Sequence, residues 1–501
     1  MNKEAGKGSA HRIGWLAGFR WKTGLALALL CCCAIVAAVV LAPDQTWRVI
    51  AVTYTLVICT VLLSLWWLLL SGVAITRRLM VAGTVVLLLI GTAVGCVRRV
   101  WFDGDMRPRF DFRWEVDPRR VSADWLRQHA STSVDVVDLP EVLVVSPDDW
   151  PRYCGWNGNR EIAEPAPSNP DWKTQPPREL WRHPVGQGWS SFAVVDHLLF
   201  TQEQRGDMEC VVCYEAATGQ QIWVHQDQAR YSTAMGGTGP RATPTVLGEV
   251  LYSLGATGLL NCLDSTTGKL VWQTNICSDA ESEPLEWGMS GSPLVVGESV
   301  IVDAGGSHGR AVIAYDRHSG KHIWASASHK AGYTSVRTEV IDETEQLIVF
   351  HGDGVMGLIP ETGAVLWEYP WKNIYGVNVA QPLCFGSELF ISSGYDSGCV
   401  LLDLSDLQSG SPAVPREVWP PNKRMKLKFN EAVARGNHVY GLDDGILCCL
   451  DITTGERRWK GGRYRFGQVL LWGDQLLVQA EDGAVALVEA TPNEFREITR
   501  F

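Results

Sequence analysis

The feature that most constrains the fold is a ten-residue pattern that recurs along the chain. Its clearest copies read LDSTTGKLVW at 263–272, YDRHSGKHIW at 315–324 and LDITTGERRW at 450–459. In each copy an acidic residue, a Thr–Gly or Ser–Gly pair and a tryptophan stand at fixed offsets. A chain that repeats a pattern in register at an interval of about 40–50 residues is built from copies of one structural unit.

The tryptophans give the length of the repeat. Successive motif tryptophans are separated by 42, 49, 52, 43, 52 and 40 residues, and they are Trp181, Trp223, Trp272, Trp324, Trp367, Trp419 and Trp459. Between them short apolar runs alternate with Gly, Asp and Asn, as in SPLVVGESVIVDAG followed by AVIAYDRHSG and KHIWASA. This texture is typical of short strands joined by tight turns. It predicts four strands per repeat, which is the blade of a β-propeller.

Each motif position has a structural explanation. The acidic residue ends the third strand, where its carboxylate can accept hydrogen bonds from the turn. The glycine supplies a positive φ, and the tryptophan can pack between blades while its N–H bonds to a backbone carbonyl. We therefore predict a structural, tryptophan-docking role for Asp264, Gly268, Trp272, Asp316, Gly320, Trp324, Asp451, Gly455 and Trp459.

These motifs resemble the tryptophan-docking motif of the PQQ-like β-propellers. The copies at 263–272, 315–324 and 450–459 are joined by YEAATGQQIW at 214–223 and IPETGAVLW at 359–367. The resemblance covers about 181–501. The family contains both quinoprotein alcohol dehydrogenases and the non-enzymatic BamB-type propellers, so the resemblance implies a fold more firmly than a function. The stretch DWPRYCGWNGNREI at 149–162 is similar to a lead-in found before bacterial propellers of this type, chiefly membrane-anchored planctomycete-type members.

The blade count contains a mismatch. Inner strands are predicted to begin near Ser190, Ala242, Ser292, Ser335, Gln381, Asn430 and Gln468, which makes seven. Fourth strands number eight if RELWRHPV at 178–185 and the C-terminal ATPNEFREITRF are both counted. The expected fold is an all-β propeller of seven full four-stranded blades plus one orphan strand in an incomplete eight-fold ring. The partners of that strand would follow Phe501. Seven-fold closure stays open as the alternative.

Three apolar runs near the N-terminus predict transmembrane helices, at about 24–42, 49–72 and 79–97. Each is close to the ~20 residues that cross a bilayer, and a signal peptide would not be followed by two further spans. Five Lys/Arg precede the first run and two lie between the second and the third. The positive-inside rule therefore predicts a cytoplasmic N-terminus and an extracytoplasmic, periplasmic propeller in the inner membrane.

The expected organisation is a membrane anchor at 1–97, an extracytoplasmic connector at 98–177 and a propeller at 178–501. The net charge changes from positive to negative at the same boundary, after residue 97. Residues 1–97 carry eight Lys/Arg and two acidic residues, whereas the remainder carries 36 basic and 53 acidic residues. An acidic body argues against a nucleic-acid partner, because such binding depends on basic groups that neutralise phosphates. The expected partners are the lipid bilayer and other proteins at the propeller face.

The motifs of common catalytic centres do not occur. We find no nucleophile elbow, Walker loop or HExxH motif. Cys448 and Cys449 directly precede the end of a predicted strand and are expected to pack in its two faces, and Cys210-Val-Val-Cys213 lacks the second pair of a zinc site. We predict no catalytic residue and no metal site.

For the quinoprotein branch, the resemblance implies PQQ, Ca²⁺ ligands, a catalytic aspartate and often a vicinal disulfide. The predicted axial loops offer Glu286, Asn378, Asn430 and Glu431 as oxygen donors. These are too scattered to indicate a calcium site. We therefore expect no cofactor, with PQQ and Ca²⁺ as the alternative.

If a binding site exists, propeller geometry places it where loops from each fourth strand to the next inner strand converge on the axis. These loops contain Gly, aromatic residues and cations. Convergent polar groups in a concave mouth favour ligand binding. The candidate axial binding residues are Arg241, Trp287, Lys428, Asn430, Arg463 and Gln468.

Three functions are consistent with the sequence. The first is a membrane-tethered, non-catalytic protein-binding or scaffolding propeller on the periplasmic side. The second is a quinoprotein dehydrogenase that uses PQQ and calcium. The third is a sensor or a subunit of a larger membrane complex.

Overall fold

The computed structural model describes residues 20–42, 45–102, 107–129, 142–162, 164–166, 170–405 and 412–501. The basic residues before position 20 and most of the apolar patch at 135–145 lie outside this part of the chain. The chain forms two compact units, Met1–Val116 and Asp117–Phe501, which are considered separately below.

The N-terminal unit contains three long helices and a β-hairpin. The helices are Trp21–Leu41, Gln45–Leu70 and Ile75–Cys96, and the hairpin strands are Val97–Phe102 and Pro108–Phe112. All three helices are long and apolar enough to cross a membrane. Large apolar side chains such as Leu30, Leu69 and Leu87 are exposed on them. Such surfaces are suited to hydrocarbon, since lipid tails solvate leucine as a protein core does.

In the second unit the helix Pro118–His129 is followed by seven sheets of four antiparallel strands each, the last of which gains a short parallel strand at its inner edge. We number the sheets as blades 1 to 7 and their strands A to D from the inside outward. The strands of blades 1 to 4 are Ala193–Val195, Leu198–Arg205, Met208–Glu215 and Gln221–Asp227; Thr245–Leu247, Val250–Leu254, Leu259–Asp264 and Leu270–Asn275; Leu294–Val296, Ser299–Asp303, Val312–Asp316 and His322–Ser326; Arg337–Ile341, Thr344–His351, Gly354–Leu358 and Val365–Pro370.

Blades 5 to 7 repeat the same order. Their strands are Leu383–Phe385, Glu388–Ser393, Gly398–Asp403 and Arg416–Asn422; Val433–Arg435, His438–Asp443, Ile446–Asp451 and Arg457–Arg463; Gln468–Trp472, Gln475–Gln479, Val485–Glu489 and Glu497–Arg500. The smaller elements are the pair Ser232–Thr233 and Gly237–Thr238, the helix Ile276–Ala280 and the two-residue strand Glu161–Ile162. Each blade takes its four strands from one continuous segment, so seven complete blades form.

The tryptophan motif joins each blade to the next. Trp272 of blade 2 donates from Nε1 to the backbone oxygen of Arg317 in blade 3, at 2.9 Å. The acidic residue holds the turn as expected, since Asp316 Oδ1 accepts from the backbone N–H of Ser319 at 2.8 Å. The same indole-to-carbonyl bond occurs from Trp223 to Ser265, Trp324 to Pro360, Trp419 to Ile452 and Trp459 to Thr491.

Blade 4 departs from this arrangement. Its motif tryptophan, Trp367, donates to Gln346 Oε1 of its own sheet at 2.8 Å and is fully buried. The residue opposite is Gly357, and a side chain there would collide with the indole. Residue Ala413 of blade 5 pairs alongside Trp367 in parallel. The prediction that this copy docks onto the next blade is therefore wrong, because Gly357 lets the indole lie across its own sheet.

Hydrophobic clusters follow the ring. In the described part of the chain, each pair of successive blades shares a buried apolar cluster, and none joins blade 7 to blade 1. We call this junction the seam. The stretch 142–189 that precedes blade 1 contacts the blades on both sides of it.

The seam is bridged by hydrogen bonds to inner strands. Trp150 pairs with Val194 of blade 1, and the strand Glu161–Ile162 pairs in parallel with Leu471 and Trp472 of blade 7. These contacts satisfy inner-strand edges that would otherwise remain open. Residues 149–162 therefore lie against the central channel of the propeller.

The orphan segment at 178–185 forms no strand, so the prediction of a regular strand there is wrong. Its tryptophan nevertheless docks, because Trp181 Nε1 donates to Ala216 O of blade 1 at 2.8 Å. His183 stacks between Trp181 and Trp125 of the preceding helix, at 5.0 and 4.5 Å. Blade 1 thus receives its docking tryptophan from the connector.

Candidate functional site

The candidate residues lie at one end of the propeller. Because the four strands of a blade are antiparallel, the loops from strand D to the next strand A and the B–C turns share this end. We call it the axial face. The D–A loops are 228–244, 276–293, 327–336, 371–382, 423–432 and 464–467, and residues 185–192 lead into blade 1.

An aromatic bridge spans the axial face. Trp287 lies between blades 2 and 3, and Phe429 lies between blades 5 and 6, yet their ring centroids are 5.6 Å apart. Trp287 also packs against Tyr333 at 5.2 Å, and Phe429 packs against Phe466 at 5.5 Å. Since the two loops come from blades that are well separated around the ring, this contact crosses the mouth of the channel.

Lys428 is buried beside the bridge and is 4% exposed. Its Nζ lies 4.7 Å from the ring centroid of Tyr395, 5.2 Å from that of Phe429 and 5.1 Å from that of Phe466. An ammonium this close to aromatic rings is attracted by their quadrupoles. Lys428 therefore places a positive charge within the aromatic group.

Arg241 adds a second cation to the same face. Its guanidinium donates to the backbone oxygens of Gly236 and Gly239 and lies 4.9 Å from the ring of Tyr231. Burial lowers its pKa to about 10, and burial raises the pKa of nearby Glu209 to about 7. Glu209 therefore changes its charge near neutral pH, whereas Arg241 stays positive.

Asn430 and Gln468 hold the loop that carries the bridge. Asn430 Nδ2 donates to Lys428 O at 2.8 Å, and Gln468 Nε2 donates to Phe429 O at 3.0 Å. Within the described residues, Asn430 Oδ1 and Trp287 Nε1 are buried without a hydrogen-bond partner. Unpaired buried polar atoms are rare in native folds and call for an explanation.

Five of the six candidate residues thus lie on the axial face around the aromatic bridge. They are Arg241, Trp287, Lys428, Asn430 and Gln468. The sixth is Arg463, which ends the outer strand of blade 6 opposite Ile446 with its side chain exposed. The structure does not bring Arg463 into contact with the aromatic bridge.

Sequence reasoning missed most of the aromatic residues. Tyr395 lies in the B–C turn of blade 5, and such turns reach the axial face although only the D–A loops had been considered. Tyr375 packs against Tyr395 at 4.9 Å. The face also exposes Trp189 (69%) and Ile374 (65%). The spacing of B–C turns within each repeat would have indicated Tyr395.

The donor set does not fit a quinone with its calcium ion. Among the described residues, no three His, Cys, Asp or Glu side chains converge as they do around a metal. The contact between Trp287 and Phe429 lies across the mouth of the channel. We therefore derive no chemical step through PQQ.

The buried strand cysteines Cys210, Cys448 and Cys449 are also unsuited to redox chemistry. Cys448 and Cys449 are neighbours in strand C of blade 6, and both are buried and unpaired. Burial raises the pKa of Cys449 to about 12 and that of Cys210 also to about 12. Thiols of this kind are inert, because the thiolate is the reactive form.

The fold and face define a class, that of PQQ-like propellers whose blades are joined by docking tryptophans. A family profile described as "Outer membrane protein assembly factor BamB" matches residues 207–461, half of the chain. The chain belongs to this family.

Three relatives illustrate the breadth of the likeness. The outer membrane protein assembly factor BamB of Burkholderia pseudomallei is 22% identical over 309 residues, 51% of this chain and 74% of that protein. The 1-butanol dehydrogenase (quinone) of Thauera butanivorans is 25% identical over 146 residues, 26% of this chain and only 23% of that enzyme. The crystal structure of BamB from Moraxella catarrhalis superposes with a TM-score of 0.43 at 18% identity, covering 62% of this chain and 84% of that one.

Proposed function

We propose that the protein is a membrane-tethered propeller that binds another protein through its axial face, without catalysis. The observation that carries this proposal is the axial face itself. It exposes Trp189 and Ile374 around a bridge of half-buried rings and two cations. Aromatic and arginine side chains are the groups that contribute most to protein interfaces.

Membership of the BamB family supports a binding role. Three apolar helices support membrane anchoring. The distribution of positive charge in the sequence supports a cytoplasmic N-terminus and therefore a periplasmic propeller in the inner membrane. The acidic body of the chain disfavours nucleic acid as the partner.

Site-specific photo-crosslinking in native membranes tests the proposal. A benzophenone amino acid is placed at Ile374 on the axial face, and at Val340, near the opposite end of blade 4, as the matched control. The two side chains are equally exposed, at 65% and 66%. We expect a protein adduct at position 374 and none at position 340. Equal labelling at the two positions, or none at position 374, would refute axial binding.

One relative supports a second candidate, quinone-dependent alcohol oxidation. The match to the 1-butanol dehydrogenase spans 26% of this chain, and it falls in a family where the same propeller serves both roles. The axial donor set described above does not fit PQQ and calcium. A third role, as a sensor or a subunit of a membrane complex, would also use the three helices. It would appear as stable membrane partners after mild detergent extraction.

A further inference from the structure

The loop that carries the aromatic bridge is under backbone strain. Phe429 has a φ of +60°, a left-handed conformation that is unfavourable for a residue with a side chain. Strained residues persist only where surrounding contacts hold them, and they cluster at functional sites. The contacts that hold Phe429 therefore decide whether the bridge to Trp287 forms.

Two of these contacts come from the propeller itself. Asn430 and Gln468 donate to the carbonyl oxygens of Lys428 and Phe429, as described above. Glu431, which follows directly in the chain, is 2% exposed and accepts the backbone N–H of Gln381 at 2.6 Å. These bonds fix the loop at its C-terminal end, where it enters blade 6.

A further contact, made to Glu431, comes from the connector. Tyr153 donates its hydroxyl to Glu431 Oε1 at 2.7 Å. Tyr153 belongs to segment 149–162, which is anchored elsewhere by Trp150 on blade 1 and by Arg160 on blade 7, where Arg160 Nε donates to Val469 O at 2.9 Å. One side chain of the channel segment thus reaches across to the base of the bridge loop.

The closed arrangement leaves polar atoms unpaired on both sides of Glu431. Within the described part of the chain, Asn430 Oδ1 and Gln381 Oε1 are buried without a donor. A buried polar atom without a hydrogen bond is unfavourable. These unpaired atoms and the strain at Phe429 work against the closed arrangement, so the closed mouth depends on the contacts made to the loop 423–432.

We propose that segment 149–162 is a strap that holds the axial mouth closed, acting through the Tyr153–Glu431 hydrogen bond on the loop 423–432. Release of the strap frees Phe429 from its strained conformation and separates it from Trp287. Access to the axial face is thereby coupled to the connector that follows the membrane helices in sequence. This coupling goes beyond the binding role proposed above and requires no knowledge of the partner.

Amide hydrogen exchange on the full-length protein in detergent tests the strap. Tyr153→Phe removes only the hydroxyl. Tyr369→Phe is the matched control, since Tyr369 donates to Glu417 Oε1 at 2.7 Å between outer strands of blades 4 and 5. We expect Tyr153→Phe to accelerate exchange of peptide 425–431 about tenfold, because one buried hydrogen bond is worth about one decade in an opening equilibrium. The control should leave that peptide unchanged.

Exchange in strands 388–393 and 398–403 of blade 5 reports in the same experiment whether the fold is intact. Acceleration confined to 425–431 and neighbouring axial peptides supports the strap. Unchanged exchange at 425–431, or acceleration that is uniform across blade 5 as well, would show that Tyr153 has no specific hold on the mouth and would overturn the proposal.

Discussion

The indole of Trp272 in blade 2 lies against the α-carbon of Gly320 in blade 3, so closely that a Cβ on this glycine would stand 2.7 Å from the ring. Gly320 also has a φ of +67°. The glycine of the repeat therefore has two roles. It adopts the positive φ that the turn of its own blade needs, and it leaves room for the tryptophan of the preceding blade to pack against the backbone. The same contact recurs between Trp223 and Gly268 and between Trp419 and Gly455.

We predict that Gly320→Ala lowers the free energy of unfolding by about 2–4 kcal/mol, from the left-handed backbone and the displaced indole together. Gly309→Ala is the matched control, because Gly309 has a φ of +75° but open space around it. Its cost should be about 1 kcal/mol. Urea unfolding followed by tryptophan fluorescence gives both values. Equal losses would mean that the contact with Trp272 adds nothing.

The connector's tryptophan should stabilise blade 1 as the repeat tryptophans stabilise other blades. Trp272→Ala should cost about 3–5 kcal/mol, as for a large buried aromatic side chain. Trp181 is only half-buried, so Trp181→Ala should cost less. Its effect should also be local, with faster amide exchange in strand 208–215, whose Tyr214 packs against His183 at 5.5 Å. If exchange in strand 208–215 stays at the wild-type rate, Trp181 does not contribute to closing the seam between blades 7 and 1.

A buried histidine should make stability depend on pH. His351 is 1% exposed and stacks on His329 at 4.0 Å. Burial, assisted by the charge of His329 when protonated, lowers the pKa of His351 to about 3. An unfolded histidine binds a proton near pH 6.5, so the folded state loses stability as pH falls from about 6.5 towards 3. The slope should approach ~1.4 kcal/mol per pH unit.

Thermal unfolding of the full-length protein between pH 4 and 7 measures this slope. His351→Gln should flatten it, whereas His318→Gln, at an exposed surface position, should leave it unchanged. If stability of His351→Gln depends on pH as steeply as that of the wild type, groups other than His351 control the loss of stability in acid.

The sequence predicted the periodic part of the fold well and the rest poorly. Seven blades and the docking bonds of Trp272 and Trp459 follow from a motif whose spacing reports strand order directly. The inward turn of Trp367 did not follow, because it depends on the absence of a side chain at Gly357, one strand away. Local motifs carry no information about such a cross-strand neighbour.

The candidate site was predicted in part for a similar reason. Loops that join blades are readable from the repeat, so Trp287 and Lys428 were found. Tyr395 reaches the same place from a turn within a blade, and Tyr153 reaches Glu431 from 278 residues away in sequence. Segment 149–162 has neither strand nor helix periodicity, so its position against the channel could be found only in three dimensions.

We propose that the axial mouth is a closed binding surface and not a cofactor site. The most direct measurement is dye-linked oxidation of butan-1-ol by the full-length protein after incubation with PQQ and Ca²⁺. We predict the same rate with and without PQQ, because the Trp287–Phe429 contact and the donor set do not accommodate the quinone. Turnover that depends on PQQ would contradict the claim and make the protein an enzyme.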